Sequence, residues 1–169
     1  ICIGASVTLT APAAAQYLWS TGATTASITV APTMNTTYSV TVTNANSCIS
    51  NTSTTITVNP LPTPNISITE LSGTSNNDGT ICNGASVTLT AFGGNQFLWS
   101  TGASTSAITV SPMATTTYIV TVTNAANCSN TASVTITVNP LPVISIAATE
   151  NSGTSSNDGT ICQGASATL

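Results

Sequence analysis

The chain repeats itself with a period of 80 residues: ICIGASVTLT at Ile1 returns as ICNGASVTLT at Ile81 and as ICQGASATL at Ile161. The match runs through the whole unit. Trp19-Ser20-Thr21-Gly22 answers Trp99-Ser100-Thr101-Gly102, Tyr38 answers Tyr118, and Val58-Asn59-Pro60-Leu61-Pro62 answers Val138-Asn139-Pro140-Leu141-Pro142. Self-similarity at a fixed period of this size marks an array of one folding unit, each copy with its own apolar face to bury. The first residue already lies inside a unit, so a segment of a longer array is expected. It divides into residues 1–62, a unit lacking its first strand; 63–142, a complete unit; and 143–169, the opening strands of a third.

Within each unit apolar and polar residues alternate, as in Ser6-Val7-Thr8-Leu9-Thr10, Ser27-Ile28-Thr29-Val30, Tyr38-Ser39-Val40-Thr41-Val42-Thr43 and Thr55-Ile56-Thr57-Val58. Period-two alternation describes half-buried antiparallel strands, with Val, Leu, Ile and Tyr on one face and β-branched Thr on the other. Gly4, Pro12, Gly22, Pro32, Pro60, Pro62 and Pro64 punctuate the runs and keep the strands short. In the complete unit strands are predicted over 65–69, 86–91, 96–100, 107–111, 116–124 and 132–139. An all-β fold follows, a tandem of antiparallel β-sandwiches of about 80 residues each.

Composition removes most chemistry. The chain has no lysine, arginine or histidine, and its only acids, Glu70, Asp78, Glu150 and Asp158, give a formal charge of −4. Without an imidazole base, an amine nucleophile or a phosphate clamp, no catalytic site is expected and the segment is read as non-enzymatic. Nucleic acid is excluded as a partner because nothing can neutralise its phosphates. No apolar run approaches the roughly 20 residues that span a bilayer, so membrane insertion is not expected.

The order Gly-x-Ser-Val-Thr-Leu-Thr, Tyr/Phe-Leu-Trp, Ser-Ile-Thr-Val, then Thr-Tyr-x-Val-x-Val-x-Asn before a tight turn resembles the B, C, E and F strands of immunoglobulin-like domains. The resemblance gives Trp19 and Trp99 the place of the core tryptophan on strand C, with Tyr38 and Tyr118 as further core residues. The ICxG, WSTGA and TVTxNP motifs together resemble the immunoglobulin-like repeats of very large, type IX-secreted, gliding-associated surface proteins of Bacteroidota. That resemblance implies an extracellular or cell-surface location and an adhesive role. One departure stands out: Ala11 and Val40, and Ala91 and Val120, occupy the positions of the intersheet cysteines of antibody domains.

Five cysteines recur in two classes, Cys2, Cys82 and Cys162 before strand B, and Cys48 and Cys128 in the turn between strands F and G. Such regularity points to disulfides in an oxidising compartment. Two pairings stay open. Bonds within a unit would join Cys2 to Cys48 and Cys82 to Cys128. The topology implied by the resemblance sets those positions at opposite poles of one sandwich, and there Cys2 would instead reach Cys128 of the next unit. Zinc is not favoured without histidine or a Cys-x-x-Cys spacing, and no base accompanies a catalytic thiol.

The acids sit in repeated loops, Ser72 to Thr80 and Ser152 to Thr160. Glu70, Asn76 and Asp78, with Glu150 and Asp158, are weak candidates for a calcium site; otherwise no cofactor is expected. The plainer reading is an Asn-Asp-Gly turn. The exposed Thr ladders, Thr8 and Thr10, Thr41 and Thr43, Thr55 and Thr57 with their counterparts, are most simply solvent faces. The expected function is a structural and adhesive array, an extracellular stalk or filament with semi-rigid proline linkers at 59–64 and 139–142. Self-association and contacts between neighbouring repeats are the expected partnerships, with glycans or surfaces as further partners. The alternative is a carbohydrate- or ice-binding surface built on the Thr faces and Phe92 or Phe97. With no side-chain cation there is no ion pair to screen, so the urea midpoint should be the same in 20 mM and 500 mM sodium chloride; a marked shift would show electrostatics that this composition does not supply.

Overall fold

The computed structural model describes residues 1–73, 75–147, 149, 160–166 and 168. The chain divides into two compact units, Ile1–Val138 and Asn139–Leu169. The first contains two sandwiches. In the first repeat the strands are β1 (Val7–Thr10), β2 (Gln16–Trp19), β3 (Ser27–Val30), β4 (Thr36–Thr43) and β5 (Ile49–Ile56). In the second they are β6 (Asn65–Thr69), β7 (Thr80–Cys82), β8 (Val87–Phe92), β9 (Gln96–Trp99), β10 (Ala107–Val110), β11 (Thr116–Thr123) and β12 (Ser129–Asn139).

The second repeat faces the sheet β10-β8-β6 against the sheet β7-β12-β11-β9, and the first repeat faces β1-β3 against β2-β4-β5. This strand order is that of an immunoglobulin-like sandwich, with β6, β7, β8, β9, β10, β11 and β12 as strands A, A′, B, C, E, F and G. The pairs β1–β3, β2–β4, β4–β5, β6–β8, β8–β10, β9–β11 and β11–β12 are antiparallel, with registers such as Leu89 opposite Ile108 and Trp99 opposite Val120, repeated as Leu9 opposite Ile28 and Trp19 opposite Val40. A parallel bridge from Cys2 to Asn59 starts the A′ strand of the first repeat.

Alternation explains the cores. Every second residue of β8 and β11 points inward, and Val87, Leu89, Ala91, Tyr118, Val120 and Val122 close around Trp99 with Ile81, Ile108 and Ile136. The smaller first core holds Ala11, Trp19, Ile28 and Val40. Ala11, Val40, Ala91 and Val120 are thus buried apolar residues where antibody domains carry a disulfide. Both tryptophans donate their indole N–H to a backbone carbonyl, Trp19 to Thr25 at 2.8 Å and Trp99 to Thr105 at 2.9 Å. The strand then turns back through WSTGA. Gly22 and Gly102 donate to the carbonyls of Trp19 and Trp99 at 2.8 and 2.9 Å, with φ of +86° and +87° that favour glycine.

Most strand ends fall within one or two residues of the sequence reading; the larger departures are at β7, at β5 and at β12, which begins at Ser129 rather than at 132. The three-residue β7 has too few residues to alternate, yet it supplies the fully buried Ile81. β5 begins at Ile49, six residues before the predicted run, because Ile49 to Thr55 is exposed on both faces and carries no alternation. The unit Asn139–Leu169 contains, among its described residues, a single antiparallel bridge between Thr149 and Thr168; residues 141–147 are exposed and form no strand.

The two cores differ in closure. Val87, Leu89, Val122 and Ile136 are at most 1 % exposed, whereas Val7, Leu9, Val42 and Ile56 at the same places in the first repeat are only partly buried. The reason is β6, whose Ile66 and Ile68 pack on the second core, while β1 has a neighbour on one side only. Leu89→Ala should therefore cost about 3–4 kcal/mol and Leu9→Ala no more than about 2 kcal/mol. Urea unfolding followed by Trp99 fluorescence in a Trp19→Phe background, and by Trp19 in a Trp99→Phe background, checks the difference.

Candidate functional site at the linker

The five cysteines resolve into one bond across the linker. Cys2 is joined to Cys128, with Cα atoms 5.5 Å apart, inside the range a disulfide requires. Cys48 and Cys82, which bonds within each repeat would consume, carry free thiols. Of the two pairings left open by the sequence, the structure has the one between repeats.

Local structure places both sulfurs. Cys2 is fixed beside the exit strand of its repeat, where Ile3 N–H donates to the Asn59 carbonyl at 2.9 Å and Asn59 N–H donates to the Ile1 carbonyl at 2.8 Å. Cys128 sits in the turn from β11 to β12. There Asn124 Oδ1 accepts from Ala126 N–H at 3.0 Å and from Cys128 N–H at 3.1 Å, and Asn127 takes the left-handed conformation at φ 59° that asparagine tolerates. The first repeat builds the same turn, with Asn44 Oδ1 accepting from Asn46 and Cys48 N–H at 2.9 and 3.0 Å.

The amide ends of two asparagines then hold the linker. Asn124 Nδ2 donates to the Pro60 carbonyl at 2.9 Å and Asn130 Nδ2 to the Pro62 carbonyl at 3.1 Å. Pro60 and Pro62 have no N–H, so the carbonyl is the one main-chain hydrogen-bonding group each offers, and Pro62 itself is buried. Gly93 lies so close that a Cβ there would collide with the Thr63 carbonyl. The sequence reading missed these asparagines. Asn124 was detectable in the repeated Thr-Val-Thr-Asn; Asn130, matched by Ser50 in the first repeat, carried no signal.

The acidic loop of the second repeat is a closed turn. Glu70 is 3 % exposed, and its carboxylate accepts from Asp78 N–H at 2.8 Å and Ser72 N–H at 3.1 Å. Glu70 N–H donates to Asn77 Oδ1 at 3.1 Å, and Thr80 N–H donates to Asp78 Oδ1 at 2.7 Å. Asn76 is exposed. Among the described residues no group of three or more metal-ligating side chains is placed to hold a metal ion. Glu150 and Asp158 lie outside the described residues.

Tyr118 is buried and Tyr38 partly so, and burial raises the Tyr118 hydroxyl above its ordinary pKa. Hydroxyls of the strand faces pair across strands, Thr8 with Thr29 at 3.1 Å, Thr88 with Thr109 at 3.0 Å, and Thr37 with Thr55 and Thr117 with Thr135 at 2.8 Å. Phe92 is exposed and Phe97 packs against the second core. Among the described residues no helix is long and apolar enough to cross a membrane.

No family model and no curated protein matches the chain. Among solved structures it is similar to murine CEACAM1b, at 14 % identity and a TM-score of 0.37 over 83 % of this chain and 95 % of that one. At that TM-score the likeness bears on neither fold nor function; the immunoglobulin-like description rests on strand order and register.

Replacing Glu70 with Ala leaves two backbone donors without their acceptor, and about 1–3 kcal/mol of stability should be lost from the second repeat. Melting temperature with and without millimolar calcium should not change in the parent chain. A calcium-dependent rise would make the loop a binding site.

Proposed function

We propose that this chain is a non-catalytic segment of an extracellular repeat array, a stalk or filament whose repeats are held in fixed succession. The Cys2–Cys128 bond across the proline linker carries the reading. A flexible tether between independent modules has no use for a covalent clamp, and Asn124 and Asn130 hold two linker carbonyls beside it. A disulfide of this kind persists in an oxidising compartment, which supports a location outside the cell. The resemblance of ICxG, WSTGA and TVTxNP to the repeats of type IX-secreted surface proteins of Bacteroidota supports the same location and an adhesive role.

The carbohydrate- or ice-binding alternative has less behind it. The hydroxyls of the strand faces are hydrogen-bonded to one another, and exposed Phe92 has Pro12 as its counterpart, so the surface does not recur from repeat to repeat.

Small-angle scattering tests the structural reading. The oxidised chain should fit one arrangement of the two repeats, whereas the Cys2→Ser/Cys128→Ser variant should need an ensemble of arrangements while keeping the parent's β circular dichroism. A variant as rigid as the parent would remove the staple from its role and the reading with it.

A further inference from the structure

Three residues of the second repeat converge on the linker, and two of them have no counterpart in the first. Asn124 and Asn130 stand on either side of Cys128, and their amide nitrogens donate to the carbonyls of Pro60 and Pro62 at 2.9 and 3.1 Å. Gly93, at φ +100°, leaves room for the Thr63 carbonyl where a Cβ would collide with it. The first repeat keeps the turn asparagine as Asn44 but has Ala13 in place of Gly93 and Ser50 in place of Asn130. An alanine brings the Cβ that the close approach forbids, and a serine side chain ends one atom sooner than the amide nitrogen of asparagine. The other sulfur is tied to the start of the same linker. Ile3 N–H donates to the Asn59 carbonyl at 2.9 Å and Asn59 N–H to the Ile1 carbonyl at 2.8 Å, which holds Cys2 beside Asn59. With Pro60 and Pro62 on the two asparagines, Asn59 carries Cys2 up to Cys128.

We propose that Gly93, Asn124 and Asn130 form a recognition site for an extended Pro-x-Pro segment, and that seating Pro60-Leu61-Pro62 in this site is what brings Cys2 to Cys128 before the two are bonded. The proposal deepens the structural-array reading and rests on it. Proline suits such a ligand, because its fixed φ keeps the segment extended with little conformational freedom left to lose. The carbonyls of alternate residues then meet the two amide donors. A net hydrogen bond between neutral groups changes an equilibrium constant by a factor of roughly two to twelve. The seat therefore positions the two thiols, and the covalent bond fixes them. Gly93 and Asn130 make the second repeat an acceptor of this linker in a way that Ala13 and Ser50 do not make the first.

Bond formation needs an oxidant, and a small-molecule disulfide such as oxidised glutathione supplies it. The Cys2 thiolate attacks that disulfide, forming a mixed disulfide and releasing one glutathione thiolate. The Cys128 thiolate then attacks the Cys2 sulfur and releases the second. Two protein thiols lose two protons and two electrons, and one glutathione disulfide becomes two thiols. The seat acts on the second attack, where the two protein sulfurs must meet.

The test uses the 169-residue chain carrying Cys48→Ser, Cys82→Ser and Cys162→Ser, equilibrated with reduced and oxidised glutathione. The ratio of bonded to reduced protein at each glutathione ratio gives the effective concentration of Cys128 at Cys2. Asn130→Ser, which gives the second repeat the residue of the first, should lower that concentration about two- to twelvefold. Asn130→Asp keeps the side-chain shape and the oxygen that accepts from Thr131 N–H at 2.9 Å, yet sets an anion against the Pro62 carbonyl, and should lower it further. Ser50→Asn in the first repeat should leave it unchanged. In concentrated urea, where no seat exists, all four chains should give one value, and Trp99 fluorescence in buffer should report the same folded second repeat in each. An Asn130→Ser chain that matches its parent in buffer overturns the proposal, and so does one that differs from its parent as much in urea as in buffer. The scattering of the Cys2→Ser/Cys128→Ser variant depends on neither outcome, so failure here is distinct from failure of the array reading.

Discussion

Everything in this structure is arranged around the absence of a side-chain cation. Where a carboxylate is buried, as Glu70 is, no cationic side chain can meet it, and the backbone N–H groups of Ser72 and Asp78 donate to it instead. Where surface strands adjoin, threonine hydroxyls rather than charge pairs face one another. Where repeats must be joined, a covalent bond and asparagine amides do what ion pairs do in other interfaces. Stability then comes from burial, and the Trp99 core carries it in the second repeat.

That dependence on burial makes the edge strand decisive. The two repeats share nearly all their core residue types, yet Leu89 is fully enclosed and Leu9 is not. The difference is one five-residue strand, β6, placing two isoleucines over the gap between the sheets. A repeat of this kind is complete only with that strand in place. The connection to the preceding repeat, through the linker that leads into β6, is thus part of the fold as well as of the array.

Much of this was legible in the sequence, because strand alternation is a local property. The inward positions of β8, β9 and β11 follow from Val87, Leu89, Trp99, Tyr118 and Val120 falling every second residue, and the turn after each tryptophan follows from its glycine. The parts that were not legible are the nonlocal ones. β7 is too short to show a period. Residues 49–53 form a strand only because β4 lies beside them. Glu70 looked like a metal ligand because its residue type is shared by ligands and by buried turn acceptors, and only its neighbours distinguish them. The choice between Cys48 and Cys128 as partner for Cys2 was left open because no spacing within a repeat encodes how one repeat is set upon the next; only the topology that the resemblance implied pointed to Cys128, which the structure pairs with Cys2.

The staple also decides where tension runs. Cys2 and Cys128 are 126 residues apart in sequence, and a pull on the chain from both ends crosses between them through two sulfur atoms. β1 through β11 lie inside that covalent ring and bear no load while the bond lasts. Reduction returns those residues to the line of force and adds about 400 Å of extensible length at roughly 3.3 Å per residue. The slack in such a tether is set by redox conditions before it is set by the strength of any sheet.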